Sequence, residues 1–328
     1  MTSESRGGPI FVGGLDRSGT SLMYALLASH PDIAMTRRTN WWTYFHGRFG
    51  DLSKDANLDR LLDEMLRYRR HRKLEPDRAR LRTAFRAGPA RDARLFALME
   101  EQYAARIGRT RWGDKSLHTE RHADEVFEEF PTASILHMVR DPRDRYASVL
   151  KRWKRVRGGV GGATAAWRAS VALGERNAAR FPDRYRVVRY EDLAARPVEV
   201  MQDVCAFIGA RFDPVMMEMR GAETFREAGN SSYGAIPEGT ISTRSIGKYR
   251  DVMRPSDIRF LQSRASTEML ALGYVLDPIA MSALETVRYR LWGAPIERVR
   301  ETAWRGREWV RDRLGRAAPD HTMVDGDR

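Results

Sequence analysis

The chain has a single cysteine among its 328 residues, Cys205. No intramolecular disulfide can form, which fits a reducing compartment, and Cys205 reads as a small apolar side chain on a helix over Met201–Ile208. No apolar run approaches the 18 or so residues that a membrane-spanning helix needs, and the short polar stretch Met1–Gly8 does not read as a secretory leader. The expected location is cytoplasmic, with attachment to the cytoplasmic face of a membrane as a second option. Zinc-ligand spacing, an aromatic RNA-binding strand motif, a recognition helix and internal repeats are all missing. Nucleic acid is therefore not expected as a partner, although a net charge of +13 attracts polyanions in general. An apolar content of 42% and eight tryptophans argue against disorder.

What is present begins at Pro9–Leu22, PIFVGGLDRSGTSL, a short apolar strand running into a glycine-bounded loop that opens a helix. From Gly14 the loop reads G-x-x-x-x-G-T-S, a phosphate cradle with Thr20 where the lysine of a nucleotide loop usually stands. That lysine neutralises the outer phosphates of a nucleoside triphosphate, so its loss points to a donor with less charge at its reacting end. Arg17 offers a planar fork of donors, and backbone N–H groups near Gly19 and Thr20 face an anion at the helix start. A second anion site follows. The strand Ser134–Val139 ends in Arg140-Asp141-Pro142-Arg143-Asp144-Arg145, with Pro142 in the first turn of a helix and Asp144 complementing its dipole. Arg140 then sits at the carboxyl end of a strand, where open α/β sheets bind ligands, and Ser148 lies about two turns further on.

With both segments in hand, the chain resembles the sulfotransferases that use 3′-phosphoadenylyl sulfate, closest in pattern to bacterial and tyrosylprotein-type members. The family's loop is usually G-x-P/x-R-S-G-T-T/S-L, and here Asp16 stands where proline is common. The resemblance implies that Arg17, Ser18, Gly19, Thr20 and Ser21 grip the 5′-phosphosulfate. It implies that Arg140 and Ser148 hold the 3′-phosphate, with Arg152 a further contact. Arg186–Leu193 resembles the family's R-Y-E-D-L segment, whose tyrosine, here Tyr190, lies near the nucleotide. Ser242–Arg250 resembles the late loop that closes over the donor, with Lys248 and Tyr249 as its lysine and aromatic pair.

The catalytic group is less plain. Trp112–His118 resembles the segment whose lysine, here Lys115, stabilises the leaving phosphate oxygen, with Ser116 and Leu117 replacing the usual residues. Related enzymes place an acidic base near Arg37 and Arg38, where this chain has arginines, so the base is open among His118, His46 and Asp114. Ser232 is a candidate hydrogen-bond donor to the sulfuryl group. The dense aromatics of Trp41–Phe45 are either core or an acceptor pocket. No metal is expected, and the acceptor is a small molecule, glycan, lipid or peptide.

Alternating strands and helices predict an α/β fold of the P-loop-NTPase type, three layers around a central parallel sheet. The strands fall at Ile10–Val12, Thr110–Gly113, Ser134–Val139 and Tyr185–Arg189. Helices are expected over Ser21–Ser29, Leu58–Arg70, Arg91–Arg106, His118–Phe130, Pro142–Trp153, Gly161–Arg180 and Pro197–Ile208, with a flexible break over Gly158–Gly162. The catalytic domain covers residues 1–276. Residues 277–316 form an amphipathic helical extension with a stripe of Ile296, Val299, Ala303, Val310 and Leu314 accompanied by Trp292, Trp304 and Trp309. That stripe can dock on its own domain, pair two copies, or lie on an anionic bilayer. Residues 317–328 read as a disordered tail. Two rival readings are a P-loop kinase or NTPase, and a non-catalytic binder of nucleotides or polyanions.

Overall fold

Five short runs, most of them rich in apolar residues, become strands because both faces of the sheet they build are covered by helices, the situation of a parallel sheet. The computed structural model describes residues 7–153, 158–231, 233 and 237–314, without the side chains of 311, 312 and 314. The strands are β1 (Ile10–Gly14), β2 (Ile33–Arg37), β3 (Arg111–Lys115), β4 (Ser134–Val139) and β5 (Tyr185–Arg189). All pair in parallel, in the order β2-β3-β1-β4-β5. Every residue of the central β1 is buried.

α1 (Thr20–Ala28) connects β1 to β2. The long crossover to β3 carries α2 (Trp41–Tyr44), α3 (Asp55–Arg67), α4 (Arg69–Arg72), α5 (Arg78–Arg86) and α6 (Asp92–Arg106). α7 (Ala123–Glu129) precedes β4, while α8 (Pro142–Arg152) and α9 (Gly159–Arg180) lead to β5. After β5 come α10 (Tyr190–Ala195), α11 (Pro197–Ile208), α12 (Glu223–Ala228), α13 (Tyr249–Val252) and α14 (Pro255–Ala271). The extension is α15 (Ala283–Arg288), a π turn over Tyr289–Gly293 and α16 (Ala294–Leu314).

Strand alternation sorts the core. Phe11 joins Trp41, Trp42, Phe96 and Trp112 on one face, while Ile10 and Val12 join Leu22, Leu26, Val188 and Met201 on the other. A third cluster unites Val139, Trp167, Phe260 and Leu261. The aromatic run after β2 is core: Trp41 stacks on Phe45 at 5.4 Å and on Phe96 at 5.0 Å between ring centres. Cys205 is buried as expected, and burial pushes its thiol pKa up to about 11.

The structure departs from sequence expectation where long-range pairing or an irregular backbone decides. β2 was not predicted, because Met35–Arg37 becomes a strand only by pairing with Gly113–Lys115, and the same pairing carries β3 on to Lys115. The helix expected over Leu58–Arg70 breaks at Tyr68, whose ψ of 114° is extended and whose hydroxyl donates to the Arg38 carbonyl at 3.1 Å. The one expected over His118–Phe130 starts late, since His118 is left-handed at φ 65° and Thr119–His122 form a 3₁₀ turn. The Gly158 break is a left-handed cap, and α9 begins at Gly159. The expected tail, 317–328, and Ser232 lie outside the described residues.

The extension is docked, with α16 lying along α9. At Gly161 the two backbones meet so closely that an added methyl would run into the Glu297 carbonyl, which has no flexible end to move aside. We expect Gly161→Ala to destabilise the protein by about 1–3 kcal/mol, the usual cost of overpacking. The test is a lower thermal midpoint together with faster proteolysis within α16. An unchanged midpoint would refute the close contact.

Candidate functional site

The carboxyl ends of β1, β3 and β4 lie side by side because their registers align Val12 with Lys115 and Gly14 with Met138. The loop after β1 and the turn after β4 therefore face each other. Arg17, left-handed at φ 64°, donates from Nε to Ser148 Oγ at 2.9 Å. Arg140 donates from Nη1 to the Arg17 carbonyl at 3.2 Å and from Nη2 to the Ser245 carbonyl at 2.7 Å. Its guanidinium lies 4.5 Å over the Tyr190 ring, while its Nε is buried with no partner among the described residues. Gly19, at φ 93°, packs on the same ring: a Cβ there would come within 2.5 Å of Tyr190 Cδ2. Ser18 and Thr20 are buried in the loop. The amides of Thr20 and Ser21 open α1, where N–H groups lack intrahelical acceptors and the first turn holds no acidic residue.

Positive charge gathers here. Burial, Arg140 and Arg152 all push the Arg17 pKa below its ordinary value, and Asp16 only partly offsets them. Arg152 itself is exposed at the end of α8. Lys151 lies 4.6 Å over the ring of Tyr233, whose hydroxyl is buried without a partner among the described residues. Sequence reasoning missed Tyr233, though the polar stretch around Asn230 pointed to its neighbourhood.

The turn after β4 holds both loops. Arg145 donates from Nε to the Asp16 carbonyl at 3.0 Å and from Nη2 to the Asp16 carboxylate at 2.5 Å, so an ion pair stands where the family often has proline. Asp144 accepts the amides of Gly247 at 2.6 Å and Tyr249 at 2.9 Å, tying down the late loop. Within that loop Ser245 meets Arg140, but Lys248 pairs with Asp251 at 2.8 Å. Tyr249 is buried under Arg143 with its hydroxyl on Asp277 at 2.6 Å. Both point to local partners in place of the arginine pocket.

Of the catalytic candidates, Lys115 is buried at the end of β3, in register with Val12 and Arg37. His118 follows on the strand-end turn, 40% exposed, with Nδ1 3.9 Å from Glu120. Glu120, which the sequence did not suggest, accepts the Gly14 amide at 2.9 Å. Burial opposes its ionisation, yet His137, His118 and backbone amides hold its pKa below the usual carboxylate range. His46 lies apart, its ring on Trp42 and its Nδ1 2.8 Å from Asp92. Asp114 is fully buried, accepting from Ser116 Oγ at 2.7 Å, and shares Thr36 with Glu100.

A five-stranded parallel sheet with an arginine cluster at its strand ends defines the class of an α/β protein, with the cluster where such sheets place their ligands. Its family can be stated: the sulfotransferase family model matches residues 9–214, and the chain belongs to that family. Protein-tyrosine sulfotransferase of Drosophila melanogaster is 26% identical over 218 residues, 63% of this chain and 39% of that protein. Protein-tyrosine sulfotransferase A of Caenorhabditis elegans is 25% identical over 62% of this chain and 50% of its own length. The chain thus spans half or less of these curated relatives. The sulfotransferase domain of the Synechococcus PCC 7002 olefin synthase shares the fold, with a TM-score of 0.50 and 19% identity over 84% of this chain and 98% of that domain. The sulfotransferase domain from the curacin biosynthetic pathway does likewise, at 0.50 and 17% over 82% and 99%.

The Glu100–Asp114 pair beneath Lys115 sets a pH dependence. Burial first, then the neighbouring Asp114, raises the Glu100 pKa well above 4.5, and burial raises that of Asp114. A carboxyl whose pKa is raised on folding favours the fold most below its unfolded pKa and loses that contribution as pH climbs through the folded value. The contribution of this pair to stability should therefore fall as pH rises above about 4.5. In calorimetric scans from pH 5 to 8, Glu100→Gln should lose less of its thermal midpoint than the natural protein. Parallel curves would refute the buried acid.

Proposed function

We propose that the protein transfers a sulfuryl group from 3′-phosphoadenylyl sulfate to an acceptor hydroxyl or amine, releasing adenosine 3′,5′-bisphosphate. The observation that carries this reading is the convergence of Arg17, Arg140 and Ser148 in one hydrogen-bonded cluster, with the Arg140 Nε and the nearby Tyr233 hydroxyl buried and unpartnered among the described residues. Those buried donors fit an anionic nucleotide, since an unpaired buried polar group is costly until a partner arrives. The donor, when bound, supplies an activated sulfuryl group.

The amides of Ser18–Ser21 and Arg17 hold its 5′ end, Arg140 and Ser148 its 3′-phosphate, and Tyr190 the base side of the site. Lys115 stabilises the negative charge that gathers on the phosphate oxygen as its bond to sulfur breaks. His118 takes the proton of the attacking acceptor, and the Glu120 carboxylate favours the imidazolium that results. Asp114 is unsuited to that role because it is sealed in the core and its oxygens are engaged. His46 is committed to Asp92. Arg37 and Arg38, at the end of β2 beside Lys115, suit an acceptor that carries negative charge. A peptide tyrosine hydroxyl, the acceptor class named for the relatives, is one such group when acidic residues flank it.

Isothermal titration tests the site. The natural protein should bind adenosine 3′,5′-bisphosphate about 10- to 100-fold more tightly than adenosine 5′-phosphate, the scale of one charge-assisted contact. Arg140→Ala should erase that preference, and an intact preference would overturn the assignment. In sulfuryl-transfer assays Lys115→Met should lower kcat by about 100-fold, with bisphosphate affinity little changed.

A further inference from the structure

The carboxyl-terminal helix is amphipathic in an inverted sense. The face of α16 that docks on the domain is polar and acidic. Ala294 is buried, Glu297 accepts the Gly161 amide at 2.8 Å, Glu301 pairs with Arg264 at 2.9 Å, and Glu308 pairs with Arg121 at 2.5 Å. These positions recur at steps of three and four, as one helical face must. The apolar residues lie roughly 160° round the helix at 3.6 residues per turn. Ile296, Val299 and Val310 are 48%, 69% and 42% exposed, with Ala303 also exposed among them.

Upstream, Leu284, Val287 and Leu291 form a second exposed stripe on α15 and the π turn, at 68%, 50% and 63%. A π turn winds more residues into one turn than an α turn does, and here that lag brings the two stripes close to one line. Trp292 and Trp309, 68% and 56% exposed, stand beside it. Arg288, Arg290, Arg298 and Arg307 are exposed on the same extension, and among the described residues no ion pair engages them.

We infer that helix 283–314 is a membrane-surface element whose outward face lies on an anionic bilayer. A soluble domain rarely leaves so continuous an apolar stripe in water, and one bordered by arginines and tryptophans matches the depth profile of a lipid interface: apolar groups in the acyl boundary, aromatics at the headgroups, cations on the phosphates. Charge complementarity selects this occupant over a second copy. Two such faces would bring their arginines together in a protein already at +13. On α16, Glu297, Glu301 and Glu308 are turned to the docked side. The Glu308–Arg121 ion pair anchors the docked face of the helix three residues from His118. The inference does not depend on the chemistry proposed for that site.

Sedimentation with vesicles tests it. The 328-residue chain should co-sediment with vesicles containing phosphatidylserine at least tenfold better than with pure phosphatidylcholine, and less well as salt rises. Leu291→Gln with Val299→Gln, and separately Arg288→Gln with Arg298→Gln, should each weaken that binding tenfold or more. Because all four side chains point to solvent, the thermal midpoint should stay at the natural value. Absence of binding to anionic vesicles would overturn the inference. So would binding that survives loss of the apolar pair, which would mark plain polyanion attraction, or a concentration-dependent dimer that the same substitutions dissociate.

Discussion

The structure turns on two arginines kept closer than their charges favour. Arg140 donates to the backbone of Arg17, Arg17 donates to Ser148, and burial removes the water that would screen them. Like charges in a low-dielectric pocket repel until an anion arrives. The fold bears that cost because the strand registers leave no alternative: β1 and β4 are parallel neighbours, so the loops at their carboxyl ends must share one end of the sheet.

Around this pair the turn after β4 works as a clamp. Asp141 caps α8 through the Arg143 amide at 2.9 Å and binds the Arg143 guanidinium. Asp144 secures the late loop and Arg145 the phosphate loop. Neighbouring residues of one short segment thus serve separate elements, which is why a run of charges that reads like a solvated helix surface is almost wholly buried. Ion pairs so placed contribute geometry more than net stability. Here the geometry they fix is the meeting of the loop after β1, the turn after β4 and the late loop.

The extension obeys the opposite rule to a normal surface helix. Burial of its acidic face is made tolerable by Arg264, Arg168 and Arg121 on the domain. Its apolar face is thereby left outward. The sequence offers the apolar stripe itself for docking on the domain; in the structure the acidic face docks instead and the stripe stays exposed.

Local signals in the chain were strong where chemistry and backbone coincide. The glycine loop, the Arg140 turn, the apolar strands on either side and the family they imply could be read directly, because a phosphate cradle needs those residue types in that order. The missing lysine at Thr20 was equally legible. Tertiary structure alone decided the rest. β2 exists only through its pairing with β3, and the aromatic run behind it is core only because α3 and α6 close over it. Tyr249 turned inward to Asp277, and Glu120 came beneath the loop from a segment with no motif. The sequence determined which groups could meet an anion. Distance and burial, which no linear pattern encodes, determined which of them come together at the strand ends.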